Sequence, residues 1–349
     1  MTTVDNGDRI SRATVDTQEP VKLRPPTSTD VARLAQVSRA TVSFVLNDVP
    51  DSRITAATRA RVLAAAEELG YIPNASASAL ATGHNHLVLI PFFNLPSYGR
   101  VLNTYYDLLA GRLTELGYTV LFHRDRHNGG PEIVRRWAAL RPAGLIVASH
   151  RLDAEALEVL HRAGARAILS VDLTDPSSTG VEDVGVAVAQ HLINAGHQRL
   201  AMVVPREPEL VPLGLARFKS FEQSAQAHGV SVERIDLSLD EKAAFVLAQR
   251  WRRNPHPTGV FGYNDEYAMM LMRALLDSGM AVPGDVAIVG CDNMPMCDFL
   301  RPRLTSISPP VDVLGRAVAD VFHEMILGHP QRPAVKTPVQ LQVTVRESG

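Results

Sequence analysis

The sequence predicts a small all-α helix-turn-helix domain followed by an α/β region built from two doubly wound parallel-sheet subdomains. Three observations predict it. Residues 27–72 hold three short capped patterns of helical spacing, the first two joined by a tight connection. From Leu87 onward short apolar runs alternate with helical stretches, the texture of parallel strands covered on both faces. With 349 residues and 46% hydrophobic composition, the chain exceeds the roughly 250 residues that one core serves.

Residues 1–26 are polar and aperiodic and end in Pro25-Pro26, so they read as a disordered tail. The first helix opens at "TSTD", with Thr27 as N-cap and Asp30 as the acid of a capping box. Val31, Leu34 and Ala35 keep helical spacing. The second helix opens at Ser38, a few residues on, past Gln36 and Val37. Thr55 caps the third, whose stripe is Val62, Ala65, Ala66 and Leu69, and Gly70 ends it. In "YIPNASASALATGHNH", Pro73 separates a further stretch and Asn74 can cap it. Ala75 to Ala81 hold two turns with almost no apolar mass. A helix that short forms only when something packs on it.

Seven strands are then expected, in "HLVLIPFF", "YTVLFHR", "GLIVAS", "RAILSVD", "RLAMVVP", "TGVFGYN" and "VAIVGCD". Helices are expected between them, such as Leu102 to Leu116, Ala154 to Ala163, Val184 to Ala195, Ala216 to His228 and Glu266 to Ser278. In such open sheets the ligand crevice lies at the carboxyl ends of the strands.

Net charge is −2, so a general basic polymer binder is excluded and any nucleic-acid contact needs a local device. From Thr27 to Gly83, Arg33, Arg39, Arg53, Arg59 and Arg61 are balanced by Asp30, Asp48, Asp51, Glu67 and Glu68. Cys291 and Cys297 have no metal-ligand spacing and read as thiols of a reducing compartment. The N-terminus has no apolar signal region and no run approaches a membrane span, which points to the cytoplasm. There is no GxGxxG, P-loop or GxSxG, and no carboxylate pair is placed for acid-base work, so neither catalysis nor a cofactor or metal is expected. A solute receptor would need a signal sequence and no headpiece, the reverse of this chain. His191 and His197 read as structural, and Met269, Met270 and Met272 as helix packing. His123 and His127, with Arg124 and Arg126, form either a solvated loop or a contact for an anionic ligand.

The second helix raises a question of its own. At ~100° per residue, Val42, Val45 and Leu46 share one side, while Ala40 and Phe44 share the other, flanked by Thr41, Ser43 and Asn47. Phe44 therefore either packs on a further neighbour or projects into a DNA major groove. There an apolar group can contact a thymine methyl while hydroxyls and amides reach phosphates or base edges.

These residues resemble the LacI/GalR family of transcriptional repressors. "DVARLAQVSRATVSFVLN", "TRARVLAAAEELGYIPNASASAL", "YNDEYAMMLMRALLDSGMAVPGDVAIVGCDN" and "PRLTSIS" match its signatures in order, from about Thr27 to Val345. The resemblance implies a headpiece over 27–72 and a hinge helix and linker over 73–86. It implies an effector-binding and dimerisation domain over 87–345, similar to periplasmic sugar-binding proteins, its subdomains joined by three crossovers. The N-subdomain covers about 87–179 and 309–335, and the C-subdomain about 180–307 and 338–347. It further implies a homodimer on pseudo-palindromic operator DNA, controlled by a small polar, sugar- or nucleoside-like effector.

By the same resemblance, Arg39, Ala40 and Phe44 would read bases. Thr27, Ser38, Thr41, Ser43, Asn47, Thr55 and Thr58 would contact the DNA backbone. Paired hinge helices, with Asn74, Ala77 and Leu80, would enter the minor groove, and Leu80 would wedge between base pairs. Effector contacts would be Arg217, Asn264 and Asp292, a guanidinium, an amide and a carboxylate suited to a polyhydroxylated molecule. Asp172, at a strand end, and Phe93, Asn94 and Tyr98, in the first loop, are further candidates. Two departures stand out. Phe44 occupies a position where many members carry Arg, and Gln36 one where a turn Gly is usual. The second asks for a turn without positive φ, or a mildly strained one. No aromatic near Leu239 to Lys242 is available to stack on a sugar ring, which argues against a plain hexose.

Overall fold

A computed structural model describes residues 24–46, 54–72, 85–92, 100–124, 130–171, 183–329 and 341–349. The chain divides into two compact units, residues 1–83 and 84–349.

The first unit holds helices α1 (Ser28–Ala35), α2 (Arg39–Leu46) and α3 (Ala56–Glu68). Thr27 starts α1 as its N-cap, its backbone N–H donating to the Asp30 carboxylate at 2.9 Å. Bonds from the Thr27 hydroxyl and amide hold the Asp30 carboxyl below its ordinary range. The core consists of Val31, Ala32, Ala35, Val42, Val45, Val62, Ala65 and Ala66, with Leu46 and Leu69 packed against it. Leu34, which keeps the same helical spacing, is 43% exposed. The buried stripe of α1 is centred between Val31 and Ala32, and Leu34 lies roughly 100° from that centre at helical spacing. Gln36 closes α1 at φ 51°, the strained alternative, and the Val37 N–H reaches back to the Ala32 carbonyl at 3.0 Å.

The second unit contains two sheets. One has four parallel strands in the order β2-β1-β3-β4. These are β1 (Leu87–Phe92), β2 (Thr119–Arg124), β3 (Gly144–Ala148) and β4 (Ala167–Val171). Between them run α4 (Arg100–Glu115), α5 (Pro131–Ala139) and α6 (Ala154–Arg162). Strand alternation divides the core. Val88 and Ile90 face Leu109, Leu113 and Phe322 on one side, while Leu89, Leu145 and Val147 face Ile133, Trp137 and Leu160 on the other.

The second sheet has the order β10-β9-β8-β7-β5-β6, with only β10 antiparallel. Its strands are β5 (Arg199–Pro205), β6 (Ser231–Leu237), β7 (Gly259–Phe261), β8 (Ala287–Cys291), β9 (Thr305–Ser308) and β10 (Gln342–Thr344). Helices α7 (Val184–Asn194), α8 (Val211–Gln226), α9 (Glu241–Arg253) and α10 (Asp265–Asp277) accompany it. Helix α11 (Val311–Leu327) follows β9 but packs on α4 and the first sheet, and β10 then rejoins the second. No helix among the described residues is long and apolar enough to cross a membrane.

The expectation of about seven strands omits β6, β9 and β10, while α5, α9 and α11 are further helices of the expected alternation. The missed strands lack long apolar runs. In β6, "SVERIDL", only Ile235 and Leu237 are buried, and in β9, "TSIS", the buried residues are mostly hydroxyl-bearing. Helix α8 begins at Val211, five residues before the expected Ala216, because Pro212 is tolerated in a first turn.

Gly144 tests how closely α11 seats on the first sheet. A Cβ there would lie 2.6 Å from the Phe322 ring and 2.8 Å from the Ala167 carbonyl oxygen. Gly144→Ala is expected to destabilise this unit by about 1–3 kcal/mol, read from urea unfolding followed by Trp137 fluorescence.

Candidate functional site

Two groups of residues stand out, one in each unit. In the first, α2 turns Val42 and Val45 inward and leaves Phe44 46% exposed, with Arg39 and Ala40 exposed beside it. Thr41 and Ser43 are half-buried at the edges of this face. The Ser38 hydroxyl caps α2 by accepting from the Thr41 N–H at 3.0 Å, and the two hydroxyl oxygens are 2.9 Å apart. Thr55 repeats the device on α3, accepting from the Thr58 N–H at 3.2 Å and donating to the Thr58 hydroxyl at 3.0 Å. The hydroxyls thus hold helix starts in place while remaining at the surface. Helix α2 therefore presents an apolar ring and a methyl on one side, with the exposed Arg39 at its first turn and a capped amide terminus nearby. Asn47, Asn74, Ala77 and Leu80 lie outside the described residues.

The second group gathers where β5, β7 and β8 end. Strand β5 has β6 on one side and β7 on the other, so the chain reverses direction of winding there, and crevices form at such points. Arg217, on α8, donates through Nη1 to the Tyr263 carbonyl at 2.8 Å, and its guanidinium sits 5.0 Å from the Tyr263 ring centroid. Its Nε is buried and has no hydrogen-bond partner among the described residues. Tyr263 stacks edge-on against Tyr267, whose hydroxyl donates to the Glu207 carboxylate. Glu207 also accepts from the Leu239 N–H at 2.8 Å, which joins the loops after β5 and β6 to the first turn of α10.

Asp292 follows β8 with φ 109°, a conformation that a side chain normally avoids. Burial pushes its carboxyl up to about 7, against the pull of the Arg217 guanidinium. The charge of Asp265 pushes the same way. Asn264 takes a different role. Its side-chain oxygen caps α10 by accepting from the Tyr267 N–H at 3.1 Å, and its amide is hydrogen-bonded to Glu266. Arg217 and Asp292 are thus brought together, and Asn264 is committed to the helix start behind them. Phe93, Asn94, Tyr98 and Asp172 lie outside the described residues.

Tyr263, whose carbonyl and ring Arg217 contacts, is a residue that sequence reasoning misses. The aromatic-asparagine-aspartate string after β7 was visible, but nothing in it showed that Asp265 is wholly buried. His197 bonds the Thr258 hydroxyl at 3.1 Å, a structural placement. Burial lowers the affinity of both His191 and His197 for a proton. Both cysteines are buried free thiols. Met272 is buried, and Met269 and Met270 pack partly against the same core.

Residues 27–74 match the model of bacterial regulatory proteins of the lacI family, and residues 189–349 that of the periplasmic binding protein-like domain. The chain belongs to the LacI family. Among its relatives is the HTH-type transcriptional regulator CelR of Thermobifida fusca, 28% identical over 347 residues, covering 93% of this chain and 99% of that protein. The HTH-type transcriptional repressor PurR of Photobacterium profundum is 27% identical over 311 residues, 85% of this chain and 91% of the relative. Among solved structures, the Lac repressor dimer bound to operator and the anti-inducer ONPF matches with a TM-score of 0.74 at 26% identity, covering 93% and 99% of the two chains. This LacI-family chain is thus similar to transcriptional regulators over both of its units.

The proton held by buried Asp292 gives a pH signature. Its folded-state value of about 7 lies above the ordinary 3.8, so the folded state holds that proton more tightly. The stability of the second unit should therefore fall as pH rises from about 4 through 7 and level off above. Asp292→Asn should flatten that segment of a melting-temperature profile. The groups bearing on Asp292 are Arg217, Asp265, Cys291 and Glu266, which the variant leaves in place.

Proposed function

We propose that this LacI-family chain is a dimeric, sequence-specific repressor of transcription in the cytoplasm, released from or fixed to operator DNA by a small polar effector. The observation that carries the proposal is the outward Phe44 on a helix whose inner face is already filled by Val42 and Val45. Arg39, Ala40 and Phe44 read base edges in the major groove. Thr27, Ser38, Thr41, Ser43, Asn47, Thr55 and Thr58 fix the headpiece on the phosphates. Net charge across the headpiece is balanced, so affinity rests on these placed groups more than on a general positive field. Asn74, Ala77 and Leu80 complete the contact in the minor groove when two copies meet on the duplex.

The Lac repressor structure is described as a dimer on operator, and the same assembly is proposed for this chain. A groove between α9 and α10 supports it, lined by Phe245, Val246 and Met270 and edged by Lys242 and Asp277. Val246 is 68% exposed there, apolar surface that a second copy would cover. The effector binds at Arg217 and Asp292, with Phe93, Asn94, Tyr98 and Asp172 contributing from the first sheet's side. The solved CelR complex holds cellobiose, which supports a polyhydroxylated effector for this chain as well. Binding shifts the spacing of the two headpieces, and the coupling is reciprocal, so operator must alter effector affinity by the same factor.

Footprinting of the purified chain at low salt should protect a pseudo-palindrome with half-sites about one helical turn apart. A chain that protects no inverted repeat near its own gene would overturn the proposal. In selected-oligonucleotide experiments, Phe44→Ala should relax base preference at one symmetric position, a change of about 1–3 kcal/mol. Its helical circular dichroism should stay unchanged, whereas a loss of helix would assign Phe44 to packing. Calorimetric titration against sugars, nucleosides and phosphorylated metabolites should find a ligand whose binding Asp292→Asn and Arg217→Ala each weaken by at least about tenfold, the loss expected for a charged hydrogen bond.

A further inference from the structure

Asp292 and Asn293 are consecutive non-glycine residues at positive φ, 109° and 47°. Such a backbone conformation persists in non-glycine residues only where the surroundings over-determine it. The surroundings here are a small buried polar assembly that no effector contact requires. Asp265, wholly buried at the start of α10, accepts from the Met294 N–H at 2.6 Å and from the Cys297 thiol at 3.2 Å. Its other oxygen accepts from the Ser306 hydroxyl of β9, whose oxygen in turn accepts from the Asn293 N–H at 3.0 Å. Gly290 makes room for this, because a Cβ there would fall 2.2 Å from the Asp265 oxygen.

The opposite side of the turn is held by Arg346, two residues beyond β10. Its side chain is only 10% exposed and donates to the Asn293 side-chain oxygen at 2.8 Å, to Asp298 at 2.6 Å and to the Leu304 carbonyl at 2.9 Å. Three acceptors at fixed angles suit the planar guanidinium fork and do not suit a compact ammonium. Arg346 also supplies positive charge toward Asp265, which otherwise has only neutral donors.

We propose that Arg346, Asp265 and Ser306 are positioning residues for the effector site, holding the Asp292–Asn293 turn in its left-handed form and so aiming the Asp292 carboxylate beside Arg217. The sequence offers no hint that a residue following the last strand reaches this turn. The proposal rests on the reading of Asp292 as an effector ligand, but the brace can be tested with no ligand present. Hydrogen exchange on the full chain follows the amides of 292–294, which bond to the Ile307 carbonyl, Ser306 and Asp265. Arg346→Gln should raise exchange in a peptide over 291–298 by about tenfold, as for one lost charged hydrogen bond, while peptides over β5 and α8 keep wild-type rates. It should also move the Asp292 step in the melting-temperature profile from about 7 toward the ordinary carboxylate range. Arg346→Lys should leave that step displaced. If Arg346→Gln does not fold, Ser306→Ala removes only the hydroxyl between Asp265 and Asn293 and should loosen the same peptide alone. Unchanged exchange and an unmoved pH step in these variants would overturn the proposal, as would loosening spread evenly over the unit. An Asp292→Asn chain that keeps full ligand response would instead overturn the effector reading, leaving the brace standing.

Discussion

Val31, Val42 and Val62 are wholly buried against one another in a core of eight small apolar side chains. That contact orients α2. Three short helices have too little apolar surface to bury more than one stripe each, so once Val42 and Val45 face inward the rest of α2 has nowhere to go but outward. The exposure of Phe44 is a consequence of this constraint. So is the exposure of Ala40, which shares its side of the helix. The capping hydroxyls of Ser38 and Thr55 then fix where α2 and α3 begin, and with them the direction in which the outward face points.

The second unit works by a different physical logic. Its central strands, β3, β5, β7 and β8, bury both faces, so the polar chemistry is forced to their carboxyl ends, where chain reversals leave loops outside the core. There the structure accepts unfavourable states and offsets them locally. Arg217 is desolvated but lies over Tyr263 and bonds its carbonyl. Asp292 is buried at positive φ, with Arg217 as its nearby cation. Asp265 is fully buried, and burial raises its carboxyl, yet it accepts three donors and feels Arg346. Groups held this firmly suit a site that must distinguish one small polar molecule from another, because little reorganisation is left for the ligand to drive.

The order of strands also explains how two halves can be coupled. The chain passes from the second sheet at β9 to α11, which seats on the first sheet, and returns to add β10 antiparallel at the edge of the second. Arg346 follows directly on that return. A residue that secures the Asp292 turn is therefore placed next to the segment through which the halves are covalently joined. Gly315 and Gly144 let α11 approach closely enough to take its place in this path, Gly315 against the Tyr105 carbonyl of α4 and Gly144 beneath the Phe322 ring of α11.

Local signals in the chain were sufficient for the helix-turn-helix unit, since caps at Thr27, Ser38 and Thr55 and apolar spacing are written within a few residues of one another. They sufficed too for the strands with long apolar runs, whereas Arg217 and Asp292 were pointed to only by the resemblance to the LacI/GalR family. Leu34 shows the limit within a helix: spacing admits it to the stripe, but only packing against α2 and α3 settles where the stripe is centred. Strands β6, β9 and β10 show the limit within a sheet, because an edge strand or a strand of small hydroxyl residues is defined by its partner and not by its own composition. The double role of Asn264, the burial of Asp265 and the reach of Arg346 to a turn more than fifty positions earlier depend on contacts between segments remote in sequence. Those contacts exist only after the sheet has closed, and so they were decided by the tertiary structure alone.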